Sequence, residues 1–256
     1  MEKKNNKFEV TIIFIVIVFS IIMYGLYLVV NEYYKKYAFT LITSPLTILE
    51  CKKWDCIDKT SEVSKYNNKE YNTNIDGKDI GKNTMYYDSF QKRFYIFDYK
   101  DNSIKYNNSF YMYEGSISGI LLDKNEVSTL ELETIKSKLK LKFSLNQVTY
   151  SEKVMMDFDG DSNIEEVYSV IGGALNYYFS YLVYNKEEKY YILYKSEEND
   201  ITKFSAGTIS NALDIFNDGK KEFIYHISYY DEIGECNVLY RIKGKKFVNV
   251  NECNVK

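Results

Sequence analysis

The residues best equipped for chemistry lie in one acidic run, Asp157-Phe158-Asp159-Gly160-Asp161-Ser162-Asn163-Ile164-Glu165. Carboxylates at its first, third, fifth and ninth places, with Asn163 between them, set alternate hard oxygens around a tight turn, as calcium requires. Asp157, Asp159, Asp161, Asn163 and Glu165 are therefore the candidate metal ligands. The same side chains also suit a turn without metal, in which they accept their own backbone amides. Both readings stand at this point. The run is not an EF-hand: Ser162 takes the sixth place where glycine is needed, and Tyr168 the twelfth where glutamate is needed.

Other chemistries are poorly supplied. His226 is the single histidine, so any Ser–His or Cys–His mechanism must use it. It sits in a strand-like stretch, 223–229, with no nucleophile motif beside it, and reads as a half-exposed strand residue. No Walker loop, G-x-G-x-x-G or G-x-S-x-G is present. Gly172-Gly173 reads as a turn joining two strands. A glycosidase needs only two carboxylates, which counting among 36 acidic residues does not identify. Trp54 is the only tryptophan, too few for a stacked sugar platform. A net charge of −3 provides no basic face, so no nucleic-acid partner is expected.

Four cysteines, Cys51, Cys56, Cys236 and Cys253, allow three pairings. Spacing favours Cys51 with Cys56, and Cys236 with Cys253 across a hairpin turning at Lys243-Gly244-Lys245. The alternative is four unpaired, half-buried thiols. Zinc is the weaker reading, since no close C-x-x-C knuckle occurs.

The acidic run belongs to a longer pattern. Shifted by 57 residues, 154–193 aligns with 211–250 without a gap. Asp157, Asp161, Glu165, Tyr168, Leu182, Lys186 and Lys189 meet Asp214, Asp218, Glu222, Tyr225, Leu239, Lys243 and Lys246. Each copy reads as four strands in an antiparallel meander with an acidic turn after the first, so the spacing predicts an internal duplication. The first turn resembles the D-x-D-x-D-G-x-x-D/E loop of FG-GAP and VCBS-type repeats. The second copy keeps Asp214, Asp218, Gly219 and Glu222 but has Phe216 where an acid belongs. The resemblance covers only the C-terminal half. It implies a blade-like meander and a Ca2+-stabilised turn, and two copies cannot close a propeller of ~4–8 blades.

The elements around the repeat follow from periodicity. Ser128-Thr129-Leu130-Glu131 fits a capping box, and Leu132, Ile135 and Leu139 follow at helical spacing, predicting an amphipathic helix near 129–141. Residues 58–84 are polar enough to read as loops and a sheet edge. Residues 10–30 carry no charge, and 21 residues at ~1.5 Å rise reach the ~30 Å of a bilayer's core. The expected order is a cytoplasmic head (1–9), a transmembrane helix (10–30), a stalk (31–45), a β-rich region with one helix (46–150) and the tandem repeat (151–256). The fold class is mainly β, with those two helices. The expectation is a single-pass, signal-anchored protein of the cell membrane, N-terminus cytoplasmic and C-terminal domain extracytoplasmic. Its outer part would be a non-catalytic interaction or structural module, partnered by the lipid bilayer and by a protein or envelope component. The alternative is an envelope hydrolase or accessory subunit acting on wall polymer through carboxylates not yet identified.

Overall fold

The computed structural model describes residues 15–30, 38–43, 46–52, 55–75, 78–90, 93–98, 103–105, 110–115, 117–120, 122–215, 218–230, 234–244 and 246–253. The head, Pro45, Trp54, Phe216 and Lys245 lie outside them. The apolar N-terminal segment requires a correction. Residues 15–30 form helix α1. Among the described residues no helix is long and apolar enough to cross a membrane. The expected transmembrane helix, the signal anchor and the single-pass placement in the cell membrane are therefore withdrawn; the remainder of 10–30 lies outside the described residues.

The rest is mainly β, in three antiparallel sheets. The first holds β1 (Ala38–Thr43), β2 (Thr47–Lys52), β3 (Asp55–Asp58), β4 (Glu70–Ile75), β5 (Lys78–Asp88), β6 (Arg93–Asp98), β7 (Ser103–Lys105) and β8 (Phe110–Glu114). Their order is β3-β2-β1-β8-β4-β5-β6-β7. Part of the expected stalk is thus an inner strand: β1 pairs on both sides and buries Phe39, Leu41 and Ile42. The polar stretch 58–84 likewise supplies β4, between β8 and β5. Its Thr73 and Asn74 are fully buried, and the Asn74 side-chain amide donates to Asp79 Oδ1 at 3.0 Å. A polar side chain can enter a sheet interior when such a partner offsets its lost water.

The chain then gives β9 (Ser118–Ile120), β10 (Lys124–Asn125) and α2 (Thr129–Leu139), followed by β11 (Val148–Met156), β12 (Glu165–Ala174), β13 (Tyr177–Lys186) and β14 (Lys189–Glu198). The last sheet is made by β15 (Ser205–Asp214), β16 (Glu222–Tyr229), β17 (Glu235–Lys243) and β18 (Lys246–Asn249). Sheet orders are β10-β11-β12-β13-β14 and β18-β17-β16-β15-β9. A shift of 57 carries the first residues of β11, β12 and β14 onto those of β15, β16 and β18. The capping box before α2 is formed: Ser128 Oγ accepts the Glu131 amide, and Glu131 accepts the Ser128 amide. Gly172 and Gly173 lie inside β12 and are not a turn. A side chain at Gly172 would meet the Gln147 carbonyl at 2.2 Å and the Phe179 ring at 2.4 Å.

The sheets stack face to face. Alternate residues of β12 and β13 send Val167, Leu182 and Tyr184 toward the last sheet, where they join Phe223, Tyr225, Ile227, Val238, Tyr240 and Phe247. The opposite face, Tyr168, Val170, Phe179, Tyr181 and Val183, is covered by Leu132 and Ile135 of α2 with Phe143. The far face of the last sheet, Leu213, Ile224 and Leu239, packs on Leu41, Leu49, Tyr111 and Tyr113 of the first. Each such large apolar side chain contributes ~1.5–3 kcal/mol through burial, so these layers dominate the favourable side of folding. The repeats meet at Gly207, whose amide donates to Ser180 Oγ and whose carbonyl accepts from Ser169 Oγ. A Cβ there would lie 2.4 Å from the buried Tyr225 ring. Gly207→Ala should therefore lower stability by ~1–3 kcal/mol through overpacking, read as a drop in the urea midpoint with unchanged slope.

Candidate metal centre and the paired acidic turns

Each acidic turn joins the first two strands of its meander, and the two turns are built alike. In the first, Asp157 Oδ1 accepts the amides of Gly160 (2.7 Å) and Asp161 (3.1 Å), and Oδ2 that of Ser162 (3.0 Å). Asp161 Oδ1 accepts the Asn163 amide, and the buried Glu165 accepts the Phe158 amide at 2.8 Å. In the second, Asp214 accepts the amides of Asp218 and Gly219, Asp218 that of Lys220, and the buried Glu222 that of Ile215. Ser162 and Gly219, which correspond under the 57-residue shift, both adopt left-handed backbone, φ 70° and 82°, a conformation that glycine alone reaches without a Cβ clash. The turns also touch: the Lys221 amide donates to the Phe158 carbonyl at 2.8 Å.

The fold gathers three of the five expected ligands. Asp157, Asp159 and Glu165 each place a carboxylate oxygen within 4.8 Å of the others, an acidic cluster of the kind that can hold a cation. Asp161, exposed like Asn163, joins them through a shared partner. That partner is Lys186, at the end of β13. Its Nζ lies 2.5 Å from Asp159 Oδ2, 2.8 Å from Asp161 Oδ2 and 2.9 Å from Glu165 Oε1. Burial alone would lower the lysine pKa, but hydrogen bonds to Asp159, Asp161 and Glu165 outweigh it and raise the value above the ordinary range. The bond from Lys186 in turn holds the Asp161 carboxyl below its usual value.

Calcium, which the resemblance implies, meets an obstacle in this arrangement. The donors are hard oxygens, as the ion requires, and Asp159 Oδ1 is buried without a hydrogen-bond partner. Yet an ammonium already sits on three of the four carboxylates, and its charge repels a second cation at that spot. The ion and the lysine cannot share it.

The second turn has different cations. Lys221 Nζ stands 3.6 Å from Asp214 Oδ2 and Arg241 Nε 3.8 Å from Glu222 Oε1. Glu222 is almost completely buried, which pushes its carboxyl up to about 8, against the lowering effect of the Ile215 amide and Arg241.

His226 occupies the face of β16 that looks toward the first sheet. Its Nε2 is 3.0 Å from Ser228 Oγ and its Nδ1 is 3.3 Å from Asn237 Oδ1. Asn237 in turn donates through Nδ2 to Thr43 Oγ1 at 2.8 Å. Burial lowers the histidine pKa, with Glu235 and Asn237 opposing. Sequence reasoning passed over Ser228 and Asn237, although the His-x-Ser spacing places both side chains on one strand face. It also passed over Glu152, a buried carboxylate that accepts the Ile209 amide and pairs with Lys124 Nζ at 3.0 Å.

The four cysteines are paired as Cys51–Cys56 and Cys236–Cys253. Cys51 and Cys56 face each other across β2 and β3, while the register of β17 and β18 brings Cys253 back beside Cys236. Such bonds form in an oxidising environment.

Glu222 gives a pH signature. Its folded-state pKa of about 8 stands above the ordinary 4.5, so between those values the folded chain retains a proton that the unfolded chain releases. Stability therefore falls as pH rises through that window. Glu222→Gln keeps an acceptor for the Ile215 amide and removes the titration. The urea midpoint of the parent should fall more between pH 5 and pH 8 than that of the variant. Equal slopes would show that Arg241 holds Glu222 ionised throughout.

In comparisons with known proteins, no family model, no curated protein and no solved structure matches the chain.

Proposed function

We propose that the β-rich part of this chain is a non-catalytic structural or interaction module, a short stack of blade-like sheets of FG-GAP/VCBS type. The observation that carries this reading is where the chemically capable side chains are engaged. The acids of both turns hold backbone amides and face basic side chains. Glu152 links β11 to β15 through the Ile209 amide, and His226 belongs to a polar chain that runs through Asn237 to Thr43. These groups join strands and sheets. The acidic cluster of Asp157, Asp159 and Glu165 can hold a cation, and the cation seated on Asp159 and Glu165 is the ammonium of Lys186. In this reading the cation serves the turn's shape and takes no part in a reaction.

One observation favours a second reading, hydrolysis: Ser228, His226 and Asn237 stand in the order nucleophile, base and orienting amide. Asn237 is only 2% exposed, and it also donates to Thr43, which favours a pin between sheets. A serine-directed fluorophosphonate separates the two. The full chain should show no labelling at Ser228 by mass spectrometry. Labelling of Ser228 that disappears in His226→Ala would overturn the module reading in favour of a hydrolase.

A further inference from the structure

We infer that Lys186 is the resident cation of the first acidic turn, a tethered ammonium in the place where loops of this type hold calcium, and that the turn is closed to the free ion. The inference rests on the module reading only for the likeness of the turn to that family; the geometry stands by itself. Three carboxylates from two sides of the turn converge on one Nζ: Asp159, Asp161 and Glu165, all within 2.9 Å. The lysine side chain is 11% exposed, Asp159 13% and Glu165 1%, while Asp161 is exposed, so water screens the pairs to Asp159 and Glu165 far less than a surface pair. The two-residue turn that follows β13 has Glu187 and Glu188 in left-handed backbone, φ 52° and 60°, the geometry of a tight hairpin. That turn sets the end of β13, and with it Lys186, beside the acidic loop.

The duplicated copy shows that the position is a local solution and no general property of the repeat. Lys186 corresponds to Lys243, which is exposed and forms no ion pair with Glu222. There the charge comes from Arg241, two residues earlier on the same strand as Lys243, and from Lys221 in the turn itself. Each copy has acquired its own basic side chain for the buried glutamate. A charge bound to the chain is present at every calcium concentration, and no ion must be recruited for the turn to close.

Calorimetric titration of the full chain with Ca2+ tests this directly. The parent should show no saturable binding up to about 10 mM, whereas Lys186→Met should bind one ion with Kd of ~10⁻⁴–10⁻³ M, at least tenfold tighter. Adding Asp159→Asn should abolish the acquired binding. Parent and variant binding alike would overturn the inference, and so would a folded Lys186→Met that gains no site. Should that variant fail to fold, amine-reactive footprinting of the parent decides. Lys186 should react at least tenfold more slowly than the exposed Lys189, at equal rates in Ca2+ and in chelator. Equal reactivity of the two lysines, or acceleration of Lys186 by Ca2+, would overturn it. These outcomes leave the Ser228 labelling experiment independent, so failure of this inference and failure of the module reading are told apart.

Discussion

The apolar layer between the two meanders is the interaction on which the rest of the structure depends. Phe158, Val167, Leu182 and Tyr184 from one side meet Phe223, Tyr225, Tyr240 and Phe247 from the other. The rings meet largely edge to face: Phe158 on Phe247 at 5.3 Å, Tyr184 on Phe247 at 4.8 Å, a geometry that the charge distribution of aromatic rings favours. Only because this layer is dry do the polar contacts at its border count for much. Ser169, Ser180 and Glu152 bond directly to the backbone of β15, fixing which residue lies over which. Packing supplies most of the energy, and these few hydrogen bonds supply the register.

The acidic turns lie at one rim of that layer and complete it. Phe158, the second residue of the first turn, points into the layer and is fully buried. Its amide is held by Glu165 and its carbonyl by Lys221 of the neighbouring turn. A buried carboxylate beside an aromatic core is costly unless it is hydrogen-bonded and neutralised. In the first turn Lys186 neutralises it; in the second, burial raises the pKa of Glu222 against the opposing pull of a more distant arginine. The same carboxylate position is thus made tolerable by two different means.

Much of the fold was legible in the sequence where the signal was local. The capping box at Ser128, the meander strands and the cysteine pairing all follow from short-range spacing, and α2 ends within two residues of its expected boundary. Two kinds of feature were not. The strand β4 reads as loop because Thr73 and Asn74 are polar, and only their cross-strand surroundings make burial tolerable. The segment around α1 reads as membrane-spanning on apolar composition alone, and among the described residues no helix is long and apolar enough to cross a membrane. At the acidic turn, the run of Asp157, Asp159 and Glu165 was legible as a cluster. Lys186 was not, since it lies 21 residues from Glu165 in sequence and reaches it only through the fold.

The two meanders stack in the same sense, and this has a structural consequence. Tyr168, Val170, Tyr181 and Val183 face α2, while their counterparts Tyr225, Ile227, Val238 and Tyr240 face the first meander. An arrangement in which each unit offers one face and receives on the other has no intrinsic end and would grow into a column. Here α2 closes one end and the eight-stranded sheet closes the other. At the α2 end the unit carries Glu166 and Asn185, bonded to each other at 2.6 Å, where its twin has Phe223 and Ile242. That polar pair makes the surface beneath α2 unlike the apolar one its twin presents to the neighbouring meander.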